Sequence, residues 1–210
     1  MPIETKVLVL NEFRAALPWL EHGFGTRQSV SETVTSAAIR QIHSNLVLSV
    51  DQPGVAGDAD ALVTRKRGLA LSVRTADCYP ILIADPVTRS IAAIHAGWRG
   101  TAERIVQRTI VHMHLAFGTD AADLHAAIGP GIGVCCYEVG AEVALRFGAE
   151  GRARIDLAEA NRRQLVESGV PAAQIHSIGR CTRCEPELFH SYRRDGGQAG
   201  RMTSFIRIAA

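Results

Sequence analysis

The sequence has little of several features that would define its class of protein. No stretch approaches the roughly 20 consecutive apolar residues of a membrane-spanning helix, so no membrane partner is expected. Residues 1–6 lack the profile of a secretory signal peptide, and we expect a cytoplasmic protein. The formal net charge of +2 gives no argument for a nucleic-acid partner. Five cysteines are an odd number, so a disulfide framework is not expected.

Short apolar runs dominate the first half of the chain. Most are rich in Val, Ile and Leu and end at Gly, Asp or Pro, which predicts strands joined by short connections. The predicted strands are Val7–Leu10, Leu46–Val50, Ala61–Thr64, Leu69–Arg74, Ile81–Asp85, Ile91–His95, Leu124–Ile128 and Arg201–Ile208. Because no repeat or linker divides the 210 residues, we expect one domain over residues 1–210.

Helices are predicted mainly in the second half. The clearest is Thr101–Phe117, in which apolar residues recur at helical spacing and Gly118 is a C-terminal stop. Shorter helices are predicted at Ala141–Phe147 and at Leu157–Ser168, the latter with Asp156 as its N-cap. Strands followed by helices predict a mixed α/β fold, with helices covering a largely antiparallel or mixed sheet.

Three potential metal ligands lie where predicted strands begin or end. His43 precedes the Leu46–Val50 strand, Cys78 lies between two apolar strands, and His95 ends a strand. Two imidazoles and a thiolate suit zinc, and three protein ligands leave the fourth tetrahedral position open, as in catalytic sites. The same residues also fit a metal-independent mechanism, in which a histidine activates Cys78 as a nucleophile. The sequence leaves both alternatives open.

Arg99, Arg194 and Asp77 are the candidate substrate-binding residues. A guanidinium matches phosphate geometry with two parallel hydrogen bonds. Arg99 also lies at the start of the predicted long helix, where backbone N–H groups favour an anion. Each arginine fits a surface ion pair equally well. Asp77, beside Cys78, fits an imidazole-orienting carboxylate, an acid or the cap of a turn.

The other cysteines and histidines are less informative. Cys135-Cys136 and Cys181-Thr-Arg-Cys184 together offer the ligands of a second, structural zinc site. Adjacent cysteines are expected to point to opposite sides, however, so we favour reduced cysteines with packing roles. His112 and His114 are two residues apart on a predicted helix and are therefore poor co-ligands.

Several motifs resemble, in order along the chain, those of the YfiH-type, laccase-domain family. The strongest are Thr75-Ala-Asp-Cys-Tyr-Pro, His95-Ala-Gly-Trp-Arg-Gly, Ile128-Gly-Pro-Gly-Ile-Gly, Cys136-Tyr-Glu-Val-Gly and Ser191-Tyr-Arg-Arg-Asp. The Gly23-Phe-Gly-Thr-Arg, Gln41-Ile-His and Asp60-Ala-Leu-Val-Thr segments are similar to it as well. The resemblance implies a layered α/β/β/α fold with mixed sheets and zinc bound by His43, Cys78 and His95. It also implies phosphorolysis of adenosine, inosine, guanosine and methylthioadenosine, and deamination of adenosine.

Two alternative functions remain beside the nucleoside enzyme. One is a copper-dependent polyphenol oxidase, the older label of the family, although the chain has few of the paired histidines that multicopper sites use. The other is a metal-independent Cys hydrolase or amidase that edits peptidoglycan precursors. The Gln28–Arg40 segment is shorter than the family's usual one, which affects the expected substrate range more than metal binding. The expected partners are a nucleoside and phosphate, and a monomer is favoured.

Overall fold

The structure is a computed structural model and describes residues 7–29 and 36–209. In chain order the strands are β1 Leu20–Gly23, β2 Ser36–Arg40, β3 Val47–Ser49, β4 Gly54–Asp58, β5 Ala61–Thr64, β6 Ala70–Thr75, β7 Tyr79–Asp85, β8 Ser90–Ala96, β9 His125–Ile128, β10 Glu138–Val139, β11 Ala153–Arg154, β12 Ile175–Ser177 and β13 Met202–Ile208. The helices are α1 Asn11–Ala16, α2 Trp98–Ala102, α3 Ile105–Phe117, α4 Ala141–Leu145, α5 Leu157–Glu167 and α6 Tyr192–Asp195. None of the described helices is long and apolar enough to cross a membrane.

Two mixed sheets form the framework. The first has the strand order β1-β13-β6-β2-β4 and the second the order β12-β9-β7-β8-β5-β3. In the first sheet, β2 runs parallel to both β4 and β6, and the other pairs are antiparallel. In the second, β12 and β3 are parallel to their neighbours, while the central pairs are antiparallel. The predicted mixed α/β architecture is therefore confirmed.

The apolar core lies in two layers, one on each face of the six-stranded sheet. Between the sheets, Leu71 and Ile206 of the first pack in one cluster with Leu82 of the second. On the opposite face, residues such as Ile83 pack with the helices α3 and α5. Strands β7 and β8 are buried along their whole length because both of their faces are covered.

The chain passes repeatedly from one sheet to the other. Three successive passages lead from the five-stranded to the six-stranded sheet: from β2 to β3, from β4 to β5 and from β6 to β7. His43, Asp60 and Cys78 lie in these three connections. The connections therefore bring residues that are far apart in the sequence to the same end of the two sheets.

The sequence-based predictions agree with most of the central elements. Strand β5 has the predicted bounds, and α5 begins where predicted, with the Asp156 carboxylate accepting a hydrogen bond of 2.9 Å from the backbone N–H of Glu159. The predicted strand Val7–Leu10 is wrong, since only Leu8 forms an isolated bridge, to Phe24.

The predicted helix Thr101–Phe117 is wrong as a single element. The chain forms α2 and then α3, with Arg104 between them in the left-handed conformation, at φ 63°. Arg99 consequently lies on the short α2 and not at the start of the long helix. The Gln28–Arg40 segment lies partly outside the described residues.

Candidate metal centre and active site

His43, Cys78 and His95 meet in space, as predicted. Their ligand atoms all lie within 4.8 Å of one another, and we call this group the His–Cys–His site. The two imidazole rings are 4.9 Å apart between centroids, with their planes at 77°. His43 is exposed, Cys78 is half-buried and His95 is buried. The site is therefore open to solvent on the side of His43.

A buried carboxylate, Asp60, organises the site from behind. One of its oxygens lies 2.7 Å from Nδ1 of His95 and accepts a hydrogen bond of 3.1 Å from the backbone N–H of His43. The other oxygen accepts hydrogen bonds from the backbone N–H groups of Ile42 and Ser44 and from the Ser44 hydroxyl. These bonds hold the loop that carries His43, whose φ of 59° is in the left-handed region.

The Asp60–His95 contact also determines which ring nitrogen is available. Because Nδ1 of His95 donates to the carboxylate, the other nitrogen of the ring can face Cys78. A carboxylate that orients a histidine in this way is typical of zinc sites. It is equally the arrangement of a Cys–His–Asp nucleophilic site.

The charges of the site are set by its own residues. Burial raises the pKa of the Cys78 thiol, but hydrogen bonds with His43 and His95 outweigh burial and lower this pKa to about 6. Burial lowers the pKa of His95, yet its hydrogen bonds with Asp60 and Cys78 outweigh burial and raise that pKa to about 9. In metal-free protein near neutral pH, Cys78 is therefore a thiolate beside a protonated imidazole.

The loop around Cys78 is held by further contacts. Asp77 has a φ of 82°, and its carboxylate accepts hydrogen bonds of 2.6 Å from the Thr182 hydroxyl and from the backbone N–H of Arg193. The Asp77 carboxylate therefore ties the loop of Cys78 to two distant segments, whereas the carboxylate that contacts His95 is Asp60. Gly97 matters too, because a Cβ there would lie 2.9 Å from Sγ of Cys78.

The two candidate arginines have different surroundings. The Arg194 guanidinium binds both carboxylate oxygens of Asp195 at 2.8 Å and donates to the backbone carbonyls of Thr182, Arg183 and Phe189. Because its N–H groups already donate to these internal acceptors, the Arg194 guanidinium does not offer a pair of parallel donors to phosphate. Arg99 is exposed, lies 4.3 Å from the centroid of the Trp98 ring, and forms no ion pair with another described residue.

The glycines after β9 have a packing role in the structure. A Cβ at Gly129 would lie 2.3 Å from the Phe24 ring, and one at Gly131 would lie 2.7 Å from the Tyr79 ring. The close approach of backbone to these aromatic rings accounts for both glycines.

Four cysteines form a second group outside the His–Cys–His site. Their sulfurs all lie within 4.8 Å of one another, and we call the group the cysteine cluster: Cys135, Cys136, Cys181 and Cys184. The expectation that adjacent cysteines point to opposite sides is wrong here. Residues 134–136 form a turn, in which the backbone N–H of Cys136 donates to the carbonyl of Gly133. Adjacent side chains on a turn diverge less than on an extended strand.

Sequence reasoning missed two residues that build the His–Cys–His site, Asp60 and Gly97. Both belong to quoted motifs, Asp60-Ala-Leu-Val-Thr and His95-Ala-Gly-Trp-Arg-Gly, but neither residue type identifies its own role. An aspartate directly before a buried strand was the available signal for Asp60. Its partners come from residues 35 and 17 positions away, which local sequence does not reveal.

Comparison with known proteins agrees with the fold and identifies the family. Residues 25–209 match the model of the family described as multi-copper polyphenol oxidoreductase laccase. The chain belongs to this family, the YfiH-type family that its motifs resemble. It is 45% identical over 182 residues to a purine nucleoside phosphorylase of Deinococcus radiodurans, covering 82% of this chain and 70% of that protein. It is 40% identical over 186 residues to adenosine deaminase RL5 of an unknown prokaryotic organism, covering 77% of this chain and 71% of that protein. The crystal structure of YlmD from Geobacillus stearothermophilus has a TM-score of 0.86 at 28% identity, covering 91% of this chain and 93% of that one.

Proposed function

We propose that the protein is a zinc-dependent purine nucleoside enzyme that catalyses phosphorolysis of purine nucleosides and deamination of adenosine. The observation that carries the proposal is the convergence of His43, Cys78 and His95 on one point, with Asp60 fixing His95 from behind. The names of two related proteins, a purine nucleoside phosphorylase and an adenosine deaminase, supply the substrate class.

The residues of the His–Cys–His site fit a zinc ion. A thiolate and two imidazoles are ligands that zinc prefers, and three of them leave a coordination position for substrate or water. The depressed pKa of Cys78 provides the deprotonated sulfur that a metal needs. Asp60 would keep His95 in the tautomer that presents its free nitrogen. When bound, zinc would supply Lewis-acid chemistry, polarising an atom of the substrate or of water.

Arg99 is the candidate for the phosphate of the phosphorolysis reaction. It is exposed on α2, which begins directly after Gly97, and the Gly97 backbone borders both Cys78 and His43. The Trp98 ring supports the guanidinium through a cation–π contact while leaving its N–H groups free to bind an oxyanion. Arg194, with its internal partners, is assigned a structural role.

Copper is the alternative occupant of the same ligands, and it is the metal of the family's descriptive name. A blue-copper centre together with a trinuclear cluster needs many histidines around neighbouring ions. Among the described residues, the potential metal-binding groups contain only two histidines, both in the His–Cys–His site. The donor set therefore favours one ion in this site and a reaction other than phenol oxidation.

A metal-independent Cys hydrolase or amidase is the second candidate, and one observation favours it. Cys78, His95 and Asp60 form a chain of contacts in which the thiol is already ionised near neutral pH. Such a thiolate is a competent nucleophile without any metal. The two functions differ in their response to a chelator, which abolishes activity only in the zinc enzyme.

The test combines metal analysis with a product assay. Protein purified without added metal is incubated with adenosine across a phosphate titration, and the released adenine and the inosine formed are both measured. We expect Cys78→Ala to lose one zinc per chain and both reactions, because the thiolate is the site's anionic ligand. Arg99→Ala should lose phosphate-dependent adenine release more than inosine formation, because phosphate is a reactant only in the first.

Three results would reject parts of this proposal. Zinc content unchanged in both Cys78→Ala and His95→Ala would remove the proposed metal site. Activity that survives complete chelation but not alkylation of Cys78 would establish the metal-independent hydrolase. Equal losses of both reactions in Arg99→Ala would assign that residue to the shared nucleoside and not to phosphate.

A further inference from the structure

Among the described residues, the cysteine cluster is the second group of potential metal ligands, and the proposed reaction does not use it. Two of its members come from the turn that follows Gly133, and the other two from a neighbouring turn about 45 residues later. We propose that the cysteine cluster binds a second zinc ion through four thiolates, as a structural site separate from the His–Cys–His site.

The spacing of the sulfurs is that of ligands around one tetrahedral ion. The Sγ atoms of Cys135 and Cys136 are 3.7 Å apart, those of Cys135 and Cys184 also 3.7 Å, and those of Cys136 and Cys184 3.3 Å. Zinc–sulfur bonds of about 2.3 Å place tetrahedral ligands about 3.8 Å apart. An iron–sulfur cluster would hold its cysteine sulfurs farther apart, because several irons and sulfides lie between them.

The backbone around Cys181 favours a thiolate at this position of the cluster. The backbone N–H of Gly133 donates to Sγ of Cys181 at 3.2 Å, and the N–H groups of Arg183 and Cys184 are also directed to this sulfur. Amide hydrogen bonds to a sulfur stabilise its charged form and orient it as a ligand. A Cβ at Gly133 would lie 3.3 Å from Sγ of Cys135, so this turn is closed tightly around the sulfurs.

The exposure of the cluster argues against a packing role. Cys135 and Cys184 are exposed, whereas a cysteine that serves as a small apolar residue is normally buried. Four ligands also leave no open coordination position, which is the pattern of structural zinc sites.

The cluster is connected to the His–Cys–His site through Thr182, which lies between two of its cysteines. The Thr182 hydroxyl donates to the Asp77 carboxylate at 2.6 Å, and the Thr182 N–H donates to the carbonyl of Gly131 at 2.9 Å. Asp77 precedes Cys78 directly. A zinc ion that fixes the turn of Thr182 would therefore also fix the loop that presents Cys78.

The experiment measures zinc per chain in two complementary variants. Cys181→Ser with Cys184→Ser should lose one equivalent and keep the other. Cys78→Ser is the matched control, and it should lose the equivalent of the His–Cys–His site while keeping that of the cluster. X-ray absorption of the zinc that remains in Cys78→Ser should show four sulfur neighbours at about 2.3 Å and no imidazole nitrogen.

The outcomes separate this proposal from the proposed function. Unchanged zinc in the double variant, or a nitrogen-containing shell in Cys78→Ser, would overturn the second site while leaving the first intact. A mass lower by two hydrogens per cysteine pair, or the visible absorption of an iron–sulfur cluster, would overturn it as well. Because the Cys78→Ser measurement leaves the cluster unaltered, it decides the question even where the double variant fails to fold.

Discussion

Replacing Asp60 by asparagine tests the role of this carboxylate most directly. The side chain keeps its shape but loses its charge, and one of its two oxygens becomes an NH₂ group. Among the described residues, the hydrogen-bond partners of the Asp60 carboxylate are all donors: Nδ1 of His95, three backbone N–H groups and the Ser44 hydroxyl. Whichever way the amide turns, its NH₂ group faces donors that then lose their acceptor.

Two effects follow, on stability and on metal binding. A hydrogen bond to a charged group contributes about 1.5–3 kcal/mol to stability, and buried donors left without an acceptor add to the loss. The unfolding free energy of metal-free Asp60→Asn should therefore fall by about 2–4 kcal/mol. Changing a group that orients a metal-binding histidine costs about 10- to 100-fold in affinity, which is about 1.4–2.8 kcal/mol.

The assay is a zinc competition titration with a chromophoric chelator, paired with urea unfolding of the metal-free protein. Asp85→Asn is the matched control, because Asp85 is also fully buried and accepts hydrogen bonds from Val87 and Thr88. Asp85 lies at the opposite end of the β7–β8 hairpin, so this variant should lose stability without losing zinc affinity. Wild-type zinc affinity in Asp60→Asn, or an equal loss in Asp85→Asn, would refute the assignment.

Three further predictions concern single side chains. Gly97→Ala should weaken zinc binding by about 1–3 kcal/mol in the zinc titration, because the added Cβ clashes with Cys78. Gly140→Ala is the control, at an N-cap of similar backbone angles with no atom within 4 Å of the added Cβ, and should leave zinc affinity unchanged. Equal zinc affinity in the two variants would contradict the close contact at Gly97. In zinc-free protein the ionised fraction of Cys78 increases as pH rises, so the alkylation rate of Cys78, followed by peptide mass spectrometry, should rise with a midpoint near pH 6. A midpoint above pH 8 would reject the ion pair with His95. Arg194→Ala should lower the unfolding free energy by about 1–3 kcal/mol, because its internal hydrogen bonds are lost, and should leave the phosphate KM of adenine release unchanged. A raised phosphate KM at unchanged stability would instead show that Arg194 binds substrate.

Local signals in the sequence predicted much of the fold and part of the site. Strand β5 and helix α5 were predicted because hydrophobic periodicity and capping operate within a few residues. The break between α2 and α3 was missed, because Arg104 adopts a left-handed conformation that its residue type does not favour. Strand β4 was missed because Gly54 and Gly57 weaken the strand pattern, although its pairing with β2 compensates.

Prediction of the site was limited for a similar reason. His43, Cys78 and His95 could be selected as ligand types at the ends of strands, and their meeting in space matches that selection. The role of Asp60 and the internal partners of Arg194 depend on contacts between distant segments, which periodicity does not encode. The geometry of the cysteine cluster likewise depends on the turn of residues 134–136, and the sequence patterns did not predict the backbone conformation of this turn.

The passage of the chain between the two sheets has a consequence for folding. The two histidines beside Cys78 come from separate segments, His43 from the connection between β2 and β3 and His95 from strand β8. His43 and Cys78 each lie where the chain leaves the five-stranded sheet. The His–Cys–His site is complete only after the connection between β2 and β3, the connection between β6 and β7, and strand β8 have met. Contacts of such long sequence separation form slowly, because loop closure must precede them. We therefore expect the capacity to bind metal at this site to be acquired late in folding, after these three segments have come together.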